Sequence, residues 1–162
     1  MSELTTCFNG DITETYTSST LPAGYTVGME RREGARTFIL FLAKGTIADK
    51  NIFKPNTADA THPYDVIATA GAATDPVCGV NTTGASVASG TYFWGQVGGA
   101  ATVALDGTVA IVAGDFIAAS GTAGTGAKAP TSTAVRCQFG VALEALASGT
   151  ANKAVRLQGL RT

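Results

Sequence analysis

GTYFWGQVGGAATVALDGTVAIVAGDFIAAS, residues 90–120, holds the chain's one Trp, a run of alternating apolar residues and frequent glycines, with Asp106 and Asp115 as its only charges. Alternation is the mark of a strand. It puts Tyr92, Trp94 and Gln96 on one face and Phe93, Gly95 and Val97 on the other. Asp106-Gly107 is a hairpin signal. A two-residue loop there would pair Leu105 with Thr108 and leave apolar residues on both faces. A three-residue loop pairs Leu105 with Val109 and Val103 with Ile111, which gathers the large side chains on one face, and is preferred. Gly114-Asp115 is a second turn, and GDFIAAS opens the next strand.

The same texture continues on both sides. Downstream, VRCQFGVALEAL alternates as Val135, Cys137, Phe139, Val141 and Leu143, and KAVRLQGL puts Val155 and Leu157 on one face. A very short helix around residues 143–147 is the one helical expectation, limited by Gly149. Upstream, TFILFLAKG reads as a buried strand between Gly34 and Gly45, and further short strands fall in NIFKP, at Tyr64–Thr69 and in VCGV. Strands spaced by about ten residues with Gly-rich turns predict an all-β sandwich or barrel.

The 162 residues allow one domain, or one domain with a long arm. Much of the apolar fraction is Ala, which favours flat strands and close backbone packing over long amphipathic helices. Residues 1–33 are polar, rich in Ser and Thr, with few core-sized side chains; they read as an extended arm ahead of a β-domain over 34–162. Met1–Asp11 has no apolar leader, and the longest apolar run, Phe38–Ala43, is too short to span a bilayer. Cys7, Cys78 and Cys137 have no short pair spacing; Cys78 and Cys137, in apolar strand-like contexts, read as buried reduced thiols of a chain made in a reducing cytosol.

Little in the sequence carries chemistry. The net charge of −1 gives no basic excess for nucleic acid, and Arg31, Arg32 and Arg36 interleave with Glu30 and Glu33, which points to a solvated or ion-paired patch. One His, His62, and dispersed Cys do not make a metal site. No Ser stands in a nucleophile elbow, and Asp106 and Asp115 are accounted for by their turns. GTAGTGAK, residues 121–128, departs from a phosphate-binding loop because Ala127 separates Gly126 from Lys128 and Ala129-Pro130 follows. A surface loop is expected there.

The order of RTFILFLAKGTIADKNIFKP, HPYDVIATAGAATDPVCGV, ASGTYFWGQVGGAATV, GDFIAAS and FGVALEALASGTANKAVRLQG resembles the small proteins that decorate or cement the capsids of tailed bacteriophages. The resemblance spans about Arg36 to Leu160 and rests on this order, since each motif is mostly Gly, Ala and Val. It implies a compact β-barrel or β-tulip, no enzyme activity, no cofactor, and trimers on the outer capsid surface that bind the major capsid protein. Tyr16, Leu21, Tyr25, Arg31 and Arg32 are then the candidate capsid contacts, through an arm able to add a strand to a capsid sheet. Phe38, Leu40, Trp94, Val103, Leu105 and Ile111 are the candidates for core or subunit contact. Two other readings accompany this one: another virion part, such as a head fibre base or tail-associated protein, and a carbohydrate- or ligand-binding β-module with Tyr92 and Trp94 as its platform.

Overall fold

The structure, a computed structural model, describes residues 11–58, 61–130 and 138–158. It is all-β, the class expected from the sequence. Its strands are β1 (Thr15–Tyr16), β2 (Glu30–Glu33), β3 (Arg36–Ala43), β4 (Ile52–Pro55), β5 (Asp65–Ala68), β6 (Gly79–Asn81), β7 (Tyr92–Asp106), β8 (Phe116–Ala119), β9 (Gly126–Lys128), β10 (Gln138–Ala142) and β11 (Thr150–Leu157).

The pairings close on themselves twice. β3 pairs with β5, β5 with β4, β4 with β6, β6 with β7, and β7 returns to β3. β7 pairs with β9, β9 with β8, β8 with β10, β10 with β11, and β11 returns to β7. Each ring has one parallel pairing, β3–β5 or β7–β9, at the same place in its circuit. Each has one isolated bridge between its loops, Ile47 with Val87 or Ile111 with Leu146. The rings are therefore two versions of one supersecondary unit, and β7 both closes the first and opens the second. In the sequence the trace of the repeat is short: ASGT at 88–91 and again at 147–150, and Gly-Val at 79–80 and again at 140–141.

Each ring has its own core. The first encloses Phe41, Ile47, Phe53, Val66, Val87, Phe93 and Val97. Phe53 stands edge-on to both Phe41 and Phe93, with ring centroids 5.0 and 5.3 Å apart. The second core holds Val103, Leu105, Ile111, Ile117, Phe139, Leu146, Val155 and Leu157, and takes in Ile52 and Val80 from the outer face of the first ring. Gly99 sits where β7 passes from one ring to the next. Its φ is +82°, and a Cβ there would press into the Ala35 carbonyl, so only Gly fits.

Several sequence expectations are revised. Asp106-Gly107 does not make a hairpin. β7 instead runs its full length to Asp106 and pairs with β11 from Gly99 to Asp106. Asp106 Oδ1 accepts hydrogen bonds from Thr108 N at 3.0 Å and Thr108 Oγ1 at 2.6 Å, a local Asx turn that ends the strand. Val109, expected opposite Leu105, is exposed, while Ile111 reaches the core through its bridge to Leu146. The helix around residues 143–147 does not form. In β10 a bulge between Gln138 and Gly140 breaks the expected alternation: Phe139 and Ala142 turn inward, and Leu143 is exposed. Val135, Cys7 and Cys137 lie outside the described residues. Residues 121–128 form no loose loop but a tight turn and β9, with Gly124, Thr125 and Gly126 buried.

The largest revision concerns the N-terminal segment, expected to extend without core partners of its own. From Asp11 onward it folds back over the outer face of β3 and β7. β1 pairs with β7, and β2 makes a hairpin with β3. Gly28 N donates to Leu40 O at 2.8 Å and Leu40 N donates to Met29 O at 3.0 Å, which ties the crossing down. Beneath it lie Phe38, Leu40 and Trp94, all without exposed surface, against buried Tyr16 and half-buried Leu21, Tyr25 and Met29. Burial of each large apolar side chain there contributes about 1.5–3 kcal/mol. The apolar second face of FILFLA is thus covered by the chain itself, and so gives no surplus surface for a partner.

Candidate binding cleft under the N-terminal segment

The N-terminal segment leaves a cleft of about 380 Å³ where it meets the edge of the first ring, lined by Leu21, Tyr25, Thr26, Val27, Leu42, Lys44, His62, Asp65 and Tyr92. Local chemistry places each wall. Leu21-Pro22-Ala23-Gly24 turns the chain, and Tyr25 N donates to Pro22 O at 3.0 Å, which sets the Tyr25 ring edge-on to Trp94 at 5.9 Å and to Tyr16 at 6.0 Å. Tyr92 stands at the start of β7. Parallel pairing of β3 with β5 brings Leu42 alongside Asp65, and Lys44 N donates to Val66 O at 2.8 Å. Lys44 Nζ then lies 3.1 Å from Asp65 Oδ2, an ion pair with its carboxylate buried and its ammonium half in solvent. His62 closes the rim, its carbonyl accepting from Asp65 N at 3.0 Å.

Aromatic and apolar walls around one ion pair suit the binding of a peptide segment or a polar-edged small group. Of the candidate contacts named from the sequence, Leu21 and Tyr25 line this cleft, and Tyr16 supports it from below. Burial, and then a 2.8 Å hydrogen bond from Tyr16 Oη to Glu14 Oε2, push the Tyr16 phenol up to about 12. Arg31 and Arg32 lie away on β2, ion-paired with Glu33 at 2.8 Å and Glu30 at 2.7 Å. Phe38, Leu40, Trp94, Val103, Leu105 and Ile111 are all buried within the single chain. Trp94, with no exposed surface, cannot stand beside Tyr92 as a sugar platform. Sequence reasoning missed Lys44, Asp65 and His62, since only the parallel β3–β5 pairing brings them to Tyr25.

Elsewhere most of the polar groups are committed to structure. Among the described residues no cluster of three His, Cys, Asp or Glu could hold a metal. Burial pushes the Cys78 thiol up, so it stays protonated. Hydrogen bonds from Thr108 hold the Asp106 carboxyl low, and the Val112 N–H does the same for Asp115, whose Oδ2 also meets Lys128 Nζ at 3.0 Å. The Lys of the Gly-rich segment is therefore turned onto a carboxylate. Gly124 N donates to Thr69 Oγ1 at 2.9 Å rather than facing an open cradle. Buried Asn81 is fully satisfied: its Nδ2 donates to Ile47 O, Ala48 O and Ala85 O, and its Oδ1 accepts from Thr83.

No family model matches the chain, and no curated protein matches it. Among solved structures, the chain is similar to the head fibre gp8.5 N base of bacteriophage phi29, with a TM-score of 0.52 and 16% identity over 78% of this chain and 98% of that one. At this identity the likeness is one of fold, and the match extends over nearly the whole of that base.

Proposed function

We propose that the chain is a structural protein of a tailed-phage virion, seated on the outer surface of the capsid. The observation that carries this is the fold shared with a head fibre base across nearly all of that base, joined to the ordered sequence resemblance to capsid decoration proteins. In this reading the major capsid protein is the partner and the cleft of Leu21, Tyr25, Leu42 and Tyr92 takes a segment of it. Bridging of neighbouring capsid subunits by several copies, as trimers, makes release slow and the shell stronger. Anchoring without cementing, as the base of a fibre, is the second reading, favoured by the identity of the structural neighbour.

The test uses virions of the phage that encodes the chain, with and without its gene. Reconstruction of the wild-type particle is expected to show density for this fold on the shell, lost in the deletion. Cementing predicts that deletion virions release DNA at lower temperature and under milder osmotic shock. Unchanged release with density still lost selects the fibre-base reading. A shell with no such density overturns both.

A further inference from the structure

Gln96 is buried with half of its amide unspent. β7 turns Phe93, Val97, Val103 and Leu105 into the two cores, so Trp94, Gln96 and Thr102 share its other face. The N-terminal segment covers Trp94. Past that cover, Gln96 lines a crevice of about 240 Å³ together with Arg36, Asp49, Lys50, Thr82 and Thr102. Gln96 keeps 1% of its surface exposed and forms the floor. Its Nε2 donates to Gly98 O at 3.0 Å and to Ala100 O at 2.8 Å, which uses both amide protons and fixes which way the amide faces. Its Oε1 is then an acceptor with no donor among the described residues. The hydroxyls of Thr82 and Thr102 likewise make no hydrogen bond among the described residues. The walls are already set. Asp49 Oδ1 accepts from Gly84 N at 3.1 Å, and its other oxygen pairs with Lys50 Nζ. Lys50 N donates to Asn81 O at 2.8 Å, and Lys50 O accepts from Ala104 N at 2.9 Å. Arg36 lies 5.5 Å over the ring of Phe38, the cross-strand partner of Gln96. Lys50 also breaks the repeat. Ile52 pairs with Val80 in the first ring as Phe116 pairs with Val141 in the second, so Lys50 stands where the second ring has Gly114. Both have positive φ, +63° and +96°, and only at the crevice does a side chain occupy that backbone.

We propose that the crevice binds a saccharide ring through its hydroxyls. The lining includes no aromatic ring and no branched aliphatic side chain, so a flat or oily ligand gains little there. An inorganic anion would set its oxygens against Gln96 Oε1 and the Asp49 carboxylate, and a cation would meet Arg36 and Lys50. The occupant that fits is neutral, donates at the floor, and both donates and accepts at the walls. A saccharide carries hydroxyls on successive carbons, each a donor and an acceptor, and so can serve Gln96 Oε1, the two Thr hydroxyls and the Asp49 carboxylate at once. Because the walls are held by the fold, little of the binding energy goes into ordering them. The crevice is separate from the Tyr92 and Trp94 platform, which the burial of Trp94 removes. A residue of a glycan and a free sugar share this chemistry. The inference goes beyond the virion reading and does not rest on it.

The test is an NMR titration of the isotope-labelled full-length chain into the millimolar range. The probes are glucose, galactose, mannose, N-acetylglucosamine and rhamnose, each as the free sugar and as its methyl glycoside. At least one is expected to give saturable shifts of the Gln96 side-chain amide and of the Thr82 and Thr102 signals. Thr82→Val with Thr102→Val should weaken that binding by about tenfold or more, through the loss of two hydrogen bonds. Lys50→Gly should weaken it too, and Val109→Ser, away from the crevice, should leave it unchanged. Signal dispersion and the fluorescence of buried Trp94 report that each variant is folded. Binding of the methyl glycoside as well as the free sugar assigns a residue within a glycan, and binding of the free sugar alone assigns a soluble sugar; both sustain the proposal. No saturable shift at Gln96 with any of these sugars overturns it, and so does binding indifferent to loss of the two hydroxyls in a folded variant. Shifts centred on the Tyr25 cleft overturn it as well. Acetamide or inorganic phosphate bound more tightly than every sugar overturns it and assigns the crevice to a protein side-chain amide or to an anion.

Discussion

Ile47 and Ile111 are counterparts: each exchanges a pair of backbone hydrogen bonds of 2.9 Å across its own ring, Ile47 with Val87 and Ile111 with Leu146, and each is buried in a separate core. Ile47→Ala and Ile111→Ala are each expected to cost about 2–5 kcal/mol, the range for a buried Ile cut to Ala. Because the sites share no partners, the double variant should be additive to within about 0.5 kcal/mol. Urea unfolding of the three variants measures this. Strong non-additivity would mean that the two cores respond as one.

Trp94 fills the space beneath the N-terminal segment, yet its Nε1 has no hydrogen-bond partner among the described residues. Trp94→Ala should cost about 3–5 kcal/mol. Trp94→Phe should cost far less than its lost volume suggests, since it also removes an unpaired buried donor, itself worth about 1–3 kcal/mol. Denaturant midpoints of the two variants, compared with Phe93→Leu as a volume control, check this.

The raised phenol of Tyr16 gives an alkaline limit to the clamp over Trp94. A folded-state value of about 12, above the ordinary 10.0, means that the neutral form is favoured in the folded chain. The stabilisation is complete below pH 10 and is lost as pH rises through 12, and corresponds to on the order of 2–3 kcal/mol. Trp94 fluorescence followed through that window should show exposure of the indole, and Tyr16→Phe should abolish the step. A wild-type trace identical to that of the variant would contradict this account.

Lys50 has a φ of +63°, the one positive value outside Gly among the described residues, and its counterpart in the second ring is Gly114 at +96°. A Cβ on Gly114 would meet nothing within 4 Å, so the cost of Gly114→Ala is conformational alone, about 1–2 kcal/mol. Lys50→Gly should change stability by less than about 1 kcal/mol, because relief of the left-handed backbone offsets the added freedom of the unfolded chain. Thermal melts of both variants decide it.

Individual strands were legible because their periodicity is local. FILFLA reads as β3 and Val155 with Leu157 as one face of β11 without knowledge of their neighbours. How the strands close was not legible. Asp106-Gly107 carries the same signal whether it turns a hairpin or ends a strand, since Asp106 satisfies Thr108 locally in either case. The repeat was hidden because Phe116 replaces Ile52 and Ala142 replaces Asn81, so that little beyond the Gly-Val pairs of β6 and β10 and the ASGT turns looks alike. The N-terminal segment looked poor in core residues because its Tyr16 and Tyr25 are few and far apart; they form a cluster only when laid over Trp94, far along the chain. In the cleft, Leu21 and Tyr25 were visible as apolar residues in a polar stretch. Lys44, Asp65 and His62 gave no signal, since none belongs to a motif.

Sharing β7 between the rings has a mechanical meaning. Two modules joined by a linker part at the linker, and two modules joined by a packed interface part at the interface. Here the joint is a continuous covalent backbone, paired with β3 along its first half and with β11 along its second. Tension applied across the rings runs along the axis of β7 and loads both ladders in shear, with many hydrogen bonds strained together rather than one after another. The molecule therefore resists separation of its halves as a single rope does, and yields only when a whole ladder slips.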